Sequence, residues 1–394
     1  MKLLLVHNRY RHSGGEDQVF RRESELLQSA GHHVLEYIKN NSEIVEDGLL
    51  NKAKLGVQTL WARNSQQELR SILRRERPQV VHFHNTFPLI SPAAYYACQE
   101  AGIPVVQSLH NSRFMCPAAT QYRKDKVCQD CLGKTVPWPG IIHSCYHNSS
   151  LQTAVVAGML TLHKLLGTWE EGVDAYIVFT EFFRQKFIEA GLPRKKLFLK
   201  PHFLITDPGM KQSDGDYGLF VGRLAPEKGV ATLLKAWELL GRIPLWIAGT
   251  GPMEQEVRRS SQTNQTIHTL PYLSQKECFD LIKGARFLVW PSAAETFGLV
   301  AIESFACGTP VIASRSNVMA EVVKDKKTGL HFEAGNPRDL AAKVEWAWTH
   351  PKETAAMGRA AREEYKSKYT AEQNYQLLMG IYSQAKGVTT WKVA

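Results

Sequence analysis

This 394-residue chain has no long apolar run. Its most hydrophobic stretch, Thr153 to Leu162, falls well short of the roughly 20 residues that a bilayer-crossing helix needs, so no membrane span is expected. The opening Met-Lys-Leu-Leu-Leu-Val-His-Asn-Arg turns polar after a short apolar run, too short for a signal segment, and no cleaved leader is expected. Low-complexity tracts, long charge blocks and internal repeats are also missing, which argues against a disordered or solenoid protein. Cysteine is sparse at seven residues. Cys98, Cys278 and Cys307 stand singly in apolar segments, and a reducing compartment is the simpler reading. These absences together predict a cytoplasmic protein.

Hydrophobic residues make up 44% of the chain and charged residues 22%, values that suit a compact globular protein. The length exceeds one ordinary core, and two domains fit best. With 48 basic against 38 acidic residues the net charge is +10, so the chain attracts anions: nucleotides, phosphorylated substrates, nucleic acid or an acidic membrane face. Basic residues gather at Arg70 to Arg75 and at Arg194 to Lys196. The second patch stands near Phe182, Phe183 and Phe187, which are expected to be exposed. A peripheral position on the inner face of the cell membrane would use such patches.

Short apolar runs alternate with amphipathic segments from end to end, the pattern of strand-helix-strand units winding into parallel sheets. Expected strands in the first half are Lys2 to His7, Val80 to Asn85, Pro104 to His110 and Ala175 to Thr180, with a surface helix over Asp17 to Gln28. A polar stretch at Asp207 to Asp216 reads as a linker. The pattern restarts with Tyr217 to Gly222, Leu245 to Gly249, Arg286 to Trp290 and Pro310 to Ala313. The expected fold class is α/β: two tandem Rossmann-like doubly wound domains facing a central cleft, where open α/β sheets bind ligands. Boundaries are expected at 1–206, 207–369 and 370–394, the last an amphipathic helix returning to the first domain.

The most informative segment runs from Glu295 to Pro310. Glu295 stands in the loop after a buried strand, and Gly298 to Cys307 reads as a largely apolar helix whose only charge is Glu303. The amides of Phe297, Gly298 and Leu299 would form a helix N-terminus able to bind an anion. Glu303, two turns down, could accept protons from two ribose hydroxyls. Gly222-Arg223-Leu224-Ala225-Pro226-Glu227-Lys228-Gly229 directly follows another strand. Its Arg223 offers a planar fork and its Lys228 a mobile point charge, a pair that suits a diphosphate. Gly249 and Gly251 mark a further strand-end loop, and Gly14-Gly15-Glu16-Asp17 opens a helix after the first strand.

These segments resemble the retaining family-4 glycosyltransferases of GT-B fold. Glu295-Thr-Phe-Gly-Leu-Val-Ala-Ile-Glu303-Ser-Phe-Ala-Cys-Gly308-Thr-Pro310 follows the family's E-x7-E pattern, and Gly222 to Gly229 follows its G-R-x-x-x-x-K-G pattern. The resemblance implies a nucleoside diphosphate sugar, such as a UDP-sugar, as co-substrate, and transfer of its sugar to a glycan or lipid-linked acceptor with the α configuration kept. It implies His110, Arg223, Lys228 and Glu295 at the reacting centre. Gly14, Gly15, Gly222, Gly249, Gly251, Phe297, Gly298, Leu299 and Glu303 would bind the donor. No catalytic metal is expected, and surface polysaccharide or glycolipid assembly is the family's commonest setting. Family members often have Asp where this chain has Asn111.

Cys116, Cys128, Cys131 and Cys145 lie within an insert at 111–150 that shows little regular structure. Four thiolates with one C-x-x-C pair can hold a structural zinc, or the thiols can stand reduced; His143 and His147 are spare ligands. A subset of similar family members carries a comparable cluster. Two competing classes are a glycoside hydrolase using Glu295 and Glu303, and a nucleic-acid-binding protein built on a zinc module. The first leaves the diphosphate grip unexplained. The second lacks aromatics interleaved with basic residues, so no nucleic-acid partner is expected.

Overall fold

A computed structural model describes residues 1–11, 14–44, 48–124 and 126–387. The chain forms two compact units. The first comprises Met1–Gln121, Cys128–Pro201 and the described chain from Asn374 onward; the second comprises Tyr122–Val127 and His202–Gln373.

The first unit is built on a six-stranded parallel sheet of β1 (Lys2–Arg9), β2 (His33–Asn40), β3 (Val80–Asn85), β4 (Val105–Ser108), β7 (Ala175–Val178) and β8 (Leu197–Leu199). Its order is β2-β1-β3-β4-β7-β8. Every residue of β3, β4 and β7 is buried, as expected of parallel strands covered by helices on both faces. Between β4 and β7 the described residues form the short hairpin of β5 (Tyr122–Arg123) and β6 (Lys126–Val127), then the helices Trp138–Ile142, Ser150–Leu165 and Thr168–Glu171. The expected helix at Asp17 to Gln28 spans Gly15–Ser29, and its start is fixed by the Asp17 carboxylate, which accepts from the Gly14 amide at 2.9 Å.

The second unit repeats the architecture with β9 (Gly218–Val221), β10 (Leu245–Ala248), β11 (Ile267–Leu270), β12 (Phe287–Trp290), β13 (Val311–Ser314) and β14 (Gly329–Phe332). The order is β11-β10-β9-β12-β13-β14, all parallel. A core of Leu233, Trp237, Leu245, Phe287, Leu340 and Val344 packs between this sheet and its helices. Trp237 is fully buried, and its indole N–H is satisfied by the Ile243 carbonyl at 2.8 Å.

The terminal helix Ala371–Ala385 packs into the first unit, as expected. Asn374 accepts from the Lys200 ammonium at 3.0 Å and donates to the Pro201 carbonyl at 2.6 Å, while the Tyr382 hydroxyl meets His82 Nδ1 at 2.8 Å. Residues 388–394 of the expected segment lie outside the described residues.

One expectation fails. Phe183 and Phe187 are 7% and 1% exposed, so they do not lie open beside the Arg194–Lys196 patch. The helix Glu181–Glu189 turns them inward, where Phe187 meets the Phe114 ring at 6.4 Å. No described helix is long and apolar enough to cross a membrane.

Candidate functional site

In an open parallel sheet the ligand crevice opens where the strand order reverses, beyond the carboxyl ends of the two strands that diverge there. In the second unit those strands are β9 and β12. The sequence segments singled out for diphosphate and sugar binding are the loops that follow them. After β9 the chain runs through Arg223 into the short turn Pro226–Lys228; after β12 it runs through Glu295 to the helix Leu299–Ala306. Gly229 permits the two loops to touch. Its φ is +73°, and a Cβ there would lie 2.0 Å from the Pro291 carbonyl oxygen.

Across this reversal the Lys228 ammonium donates to Glu295 Oε1 at 2.5 Å. The same oxygen accepts from Ser292 Oγ at 3.0 Å and the Trp290 indole N–H at 3.2 Å, so one carboxylate is oriented by three donors. Arg223 pairs with Glu227, but its own side chain remains 62% exposed. Both cations thus have carboxylate partners and retain further N–H donors for an anion. The Gly249–Gly251 loop after β10 is laced to the β9 loop by the backbone, through Leu224 N to Thr250 O at 2.9 Å and Gly222 N to Ala248 O at 3.0 Å.

The helix expected at Gly298 to Cys307 spans Leu299–Ala306, with Gly298 as its N-cap at φ +89°. A Cβ at Gly298 would lie 2.0 Å from the Trp290 ring, so only glycine lets the helix begin against that indole. Phe297 is buried, with its ring 4.8 Å from that of His202. Glu303 is half-buried on the same helix. Sequence reasoning had not assigned Glu227, Trp290 or Ser292; the last two lie on or next to a strand that reads simply as core.

In the first unit the order reverses between β1 and β3. Gly14 and Gly15 lie after β1, and His110 after β4. His110 Nε2 and His84 Nδ1 are 3.0 Å apart, and the His110 ring stacks 5.1 Å from Phe179. Burial, with the added positive potential of His7, His82 and Lys200, pushes the His110 pKa well below the usual histidine value. It is therefore a neutral hydrogen-bonding group near pH 7, poorly suited to work as an acid.

Beneath His110, Glu23, His82 and His84 bring three ligand atoms within 4.8 Å of one another, the geometry of a metal group. A cation already stands there. Lys200 Nζ is 3.3 Å from Glu23 Oε1, and both side chains are fully buried. Both ring nitrogens of His82 are engaged, one by Tyr382 and one by Ser108 Oγ at 2.9 Å. The cluster is a buried ion pair within a histidine network.

Among the described residues none of the four insert cysteines forms a disulfide, and all four are half-buried. Three are anchored through their backbone amides: Cys116 N bonds to Ser112 O, Cys128 N to Gln121 O, and Cys145 N to Gly140 O. The thiols of Cys116, Cys128 and Cys145 lie close enough to act electrostatically on that of Cys131, whose pKa burial pushes up to about 11.

Residues 14–201 match the model of a glycosyl transferase 4-like domain, and residues 207–364 match that of glycosyl transferases group 1. Among curated proteins, the chain is 31% identical over 177 residues to an uncharacterized glycosyltransferase of Methanocaldococcus jannaschii, covering 44% of this chain and 50% of that protein. It is 29% identical over 228 residues to the D-inositol 3-phosphate glycosyltransferase of Rhodococcus erythropolis, covering 54% and 49%. The chain thus spans about half the length of such relatives. Among solved structures, HepE of Anabaena in complex with UDP superposes with a TM-score of 0.70 at 15% identity, covering 97% of this chain and 100% of that one. Sucrose-phosphate synthase of Thermosynechococcus elongatus gives 0.70 at 16%, covering 98% and 100%. These structural likenesses show the fold, and the two domain matches, to a glycosyl transferase 4-like domain and to glycosyl transferases group 1, together cover most of the chain.

Proposed function

We propose that this protein transfers a sugar from a nucleoside diphosphate sugar to an acceptor hydroxyl, with the donor's anomeric configuration retained. The observation that carries this reading is the Lys228 to Glu295 contact across the strand-order reversal of the second unit. As the glycosidic bond breaks, negative charge gathers on the departing diphosphate. Lys228 and Arg223 stabilise that charge from the β9 loop, and the amides at the start of the Leu299–Ala306 helix add a positive end of a peptide dipole. Glu295, held by Lys228, Ser292 and Trp290, orients the sugar, and Glu303 takes the ribose hydroxyls. These groups supply the charge neutralisation that a metal would otherwise provide, so catalysis is proposed to be metal-independent. The acceptor proton passes to the leaving phosphate oxygen on the same face.

The donor site falls to residues 207–369, and the acceptor side to residues 1–206 with the returning helix 370–394. HepE was solved with UDP and with UDP-glucose, which favours a uridine nucleotide here. A glycan or lipid-linked acceptor in surface polysaccharide or glycolipid assembly is the proposed setting, in keeping with the shared fold of the lipopolysaccharide outer core galactosyltransferase WaaB, at a TM-score of 0.63 and 14% identity. The net +10, with Arg74 and Arg75 exposed on the helix Arg63–Glu76, suits a cytoplasmic protein resting on anionic lipid. Cys116, Cys128, Cys131 and Cys145 would hold a structural zinc, tying together an insert with little regular structure of its own.

The test is incubation with a panel of UDP-, GDP- and ADP-sugars, following release of the nucleoside diphosphate with and without chelator, and reading the product anomer by NMR. The expected result is chelator-insensitive turnover of one donor class with retention. Turnover of simple glycosides without any nucleotide would overturn it.

A further inference from the structure

The polar network under His110 joins distant parts of the first unit, and the function proposed above gives it no task. Glu23 comes from the helix Gly15–Ser29, His82 and His84 from β3, Ser108 from the end of β4, and Lys200 from the chain after β8. The returning helix Ala371–Ala385 adds Asn374 and Tyr382. A buried charge is costly unless it is paired. Lys200 supplies the pair, 3.3 Å from Glu23 Oε1, and is steadied by Asn374 Oδ1 at 3.0 Å. Replacing such a pair by two apolar side chains is often neutral for stability, so its presence points to a task other than holding the fold.

That task falls on His84. Its Nε2 is buried without a hydrogen-bond partner and lies 3.8 Å from Glu23 Oε2, while its Nδ1 meets His110 Nε2 at 3.0 Å. Lys200 sits on the other carboxylate oxygen and leaves Oε2 to face His84. The remaining imidazoles are held elsewhere: His82 by Tyr382 and Ser108, and His7 by Asp17 at 2.9 Å. Burial, with the positive potential of neighbouring groups, keeps His84 and His110 neutral near pH 7, so each ring carries one proton.

Two arrangements of those protons satisfy the contact between the rings. If His84 is protonated on Nδ1, it donates to His110 and turns the lone pair of its Nε2 toward the Glu23 carboxylate, which repels it. If His84 is protonated on Nε2, the positive end of that N–H faces the carboxylate. Its Nδ1 must then accept, so His110 donates from Nε2 and keeps its lone pair on Nδ1. The buried charge selects the second arrangement, because a dry interior screens it little.

We infer that Glu23 is a positioning residue for His110: acting through His84, its carboxylate holds His110 in the tautomer protonated on Nε2, so that an unprotonated Nδ1 is left to accept from a hydroxyl of the bound donor sugar. The placing of His110 at the reacting centre rests on the glycosyl-transfer reading; the tautomer does not. Lys200 and Asn374 hold the carboxylate where it acts, and Asn374 is itself fixed by donating to the Pro201 carbonyl at 2.6 Å.

The test is NMR of the full chain carrying isotopically labelled histidine, with the two rings assigned from His84→Gln and His110→Gln. Long-range proton–nitrogen correlations show which ring nitrogen bears the proton. Expected in the unaltered protein is the Nε2–H form of both rings. In the double variant Glu23→Met with Lys200→Met, which removes both charges and strands neither, His110 should pass to the Nδ1–H form or to a mixture. Turnover of a sugar nucleotide should then fall about tenfold, the worth of one hydrogen bond, with the affinity for the free nucleoside diphosphate unchanged. An Nδ1–H form of His110 in the unaltered protein overturns the inference even if the double variant fails to fold. So does an Nε2–H form that survives in the double variant, or a changed tautomer with unchanged turnover. Failure of the unaltered protein to turn over any sugar nucleotide overturns the transfer reading instead, and the spectra still decide where Glu23 places the proton.

Discussion

The two units answer the same topological problem in opposite ways. Each has a parallel sheet whose strand order reverses once, and each gathers polar side chains beyond that reversal. In the second unit the charges are matched within the chain, Lys228 by Glu295 and Arg223 by Glu227. In the first, the pair of Glu23 and Lys200 beneath His110 is sealed from solvent, and no ligand meets it directly. A diphosphate brings its own strong charge and can recruit cations that are held in place by carboxylates. A sugar brings only hydroxyls, and is met by a neutral imidazole whose proton the buried carboxylate places.

Four substitutions sharpen or break this contrast. The largest effect is expected for Lys228→Ala, which removes a charge placed where the leaving diphosphate develops its own: turnover of the donor should fall about 10²- to 10³-fold in initial-rate assays. Unchanged rates would dissolve the donor assignment. Gly298→Ala comes next, because its methyl would collide with Trp290 in a left-handed backbone; denaturant unfolding should show a loss of about 2 to 4 kcal/mol.

Glu16→Gln should act on stability in the opposite sense. Burial raises the folded-state pKa of Glu16 from 4.5 to about 7. Folding therefore favours the protonated carboxyl, and the natural protein loses stability as pH climbs from about 4.5 through about 7. The variant escapes that loss, so thermal melts should coincide near pH 4, diverge as pH rises from about 4.5 to about 7, and stay apart by a constant gap above that, on the order of 2 kcal/mol in favour of glutamine. A pH-independent difference would mean that Glu16 is not held in this way. Smallest is Arg70→Ala, which breaks only the surface pair with Glu100 at 2.6 Å and should leave the urea unfolding midpoint essentially unchanged.

Legibility in the sequence followed the same division. The second unit's candidate site occupies two short segments, Gly222–Gly229 and Glu295–Glu303, each after a strand; residue type suited Lys228 to a diphosphate, and the family resemblance put Glu295 near the donor sugar. Their direct pairing depends on how the two loops meet, which no local pattern encodes. The first unit's buried pair comes from positions 23 and 200, far apart in the chain and outside any motif. Glu23 stood within an expected surface helix and had no reason to be singled out before its burial was known. Central strands such as Phe287–Trp290 were visible as continuous apolar runs. Edge strands such as His33–Asn40 and Ile267–Leu270 were missed because they are largely half-exposed or exposed, and their residues read as polar. Phe183 and Phe187 misled in the reverse direction, since aromatic residues beside lysines look exposed until the phase of their helix is fixed.

The central claim is that Lys228 and Glu295 mark a nucleoside diphosphate site. Isothermal titration of UDP, GDP and ADP into the unaltered protein and into Lys228→Ala tests it most directly. The account predicts that one nucleotide binds the unaltered protein and binds the variant at least about tenfold more weakly, a loss of roughly 1.4 kcal/mol. Equal affinity for the two proteins, or no binding of any of the three, would contradict it.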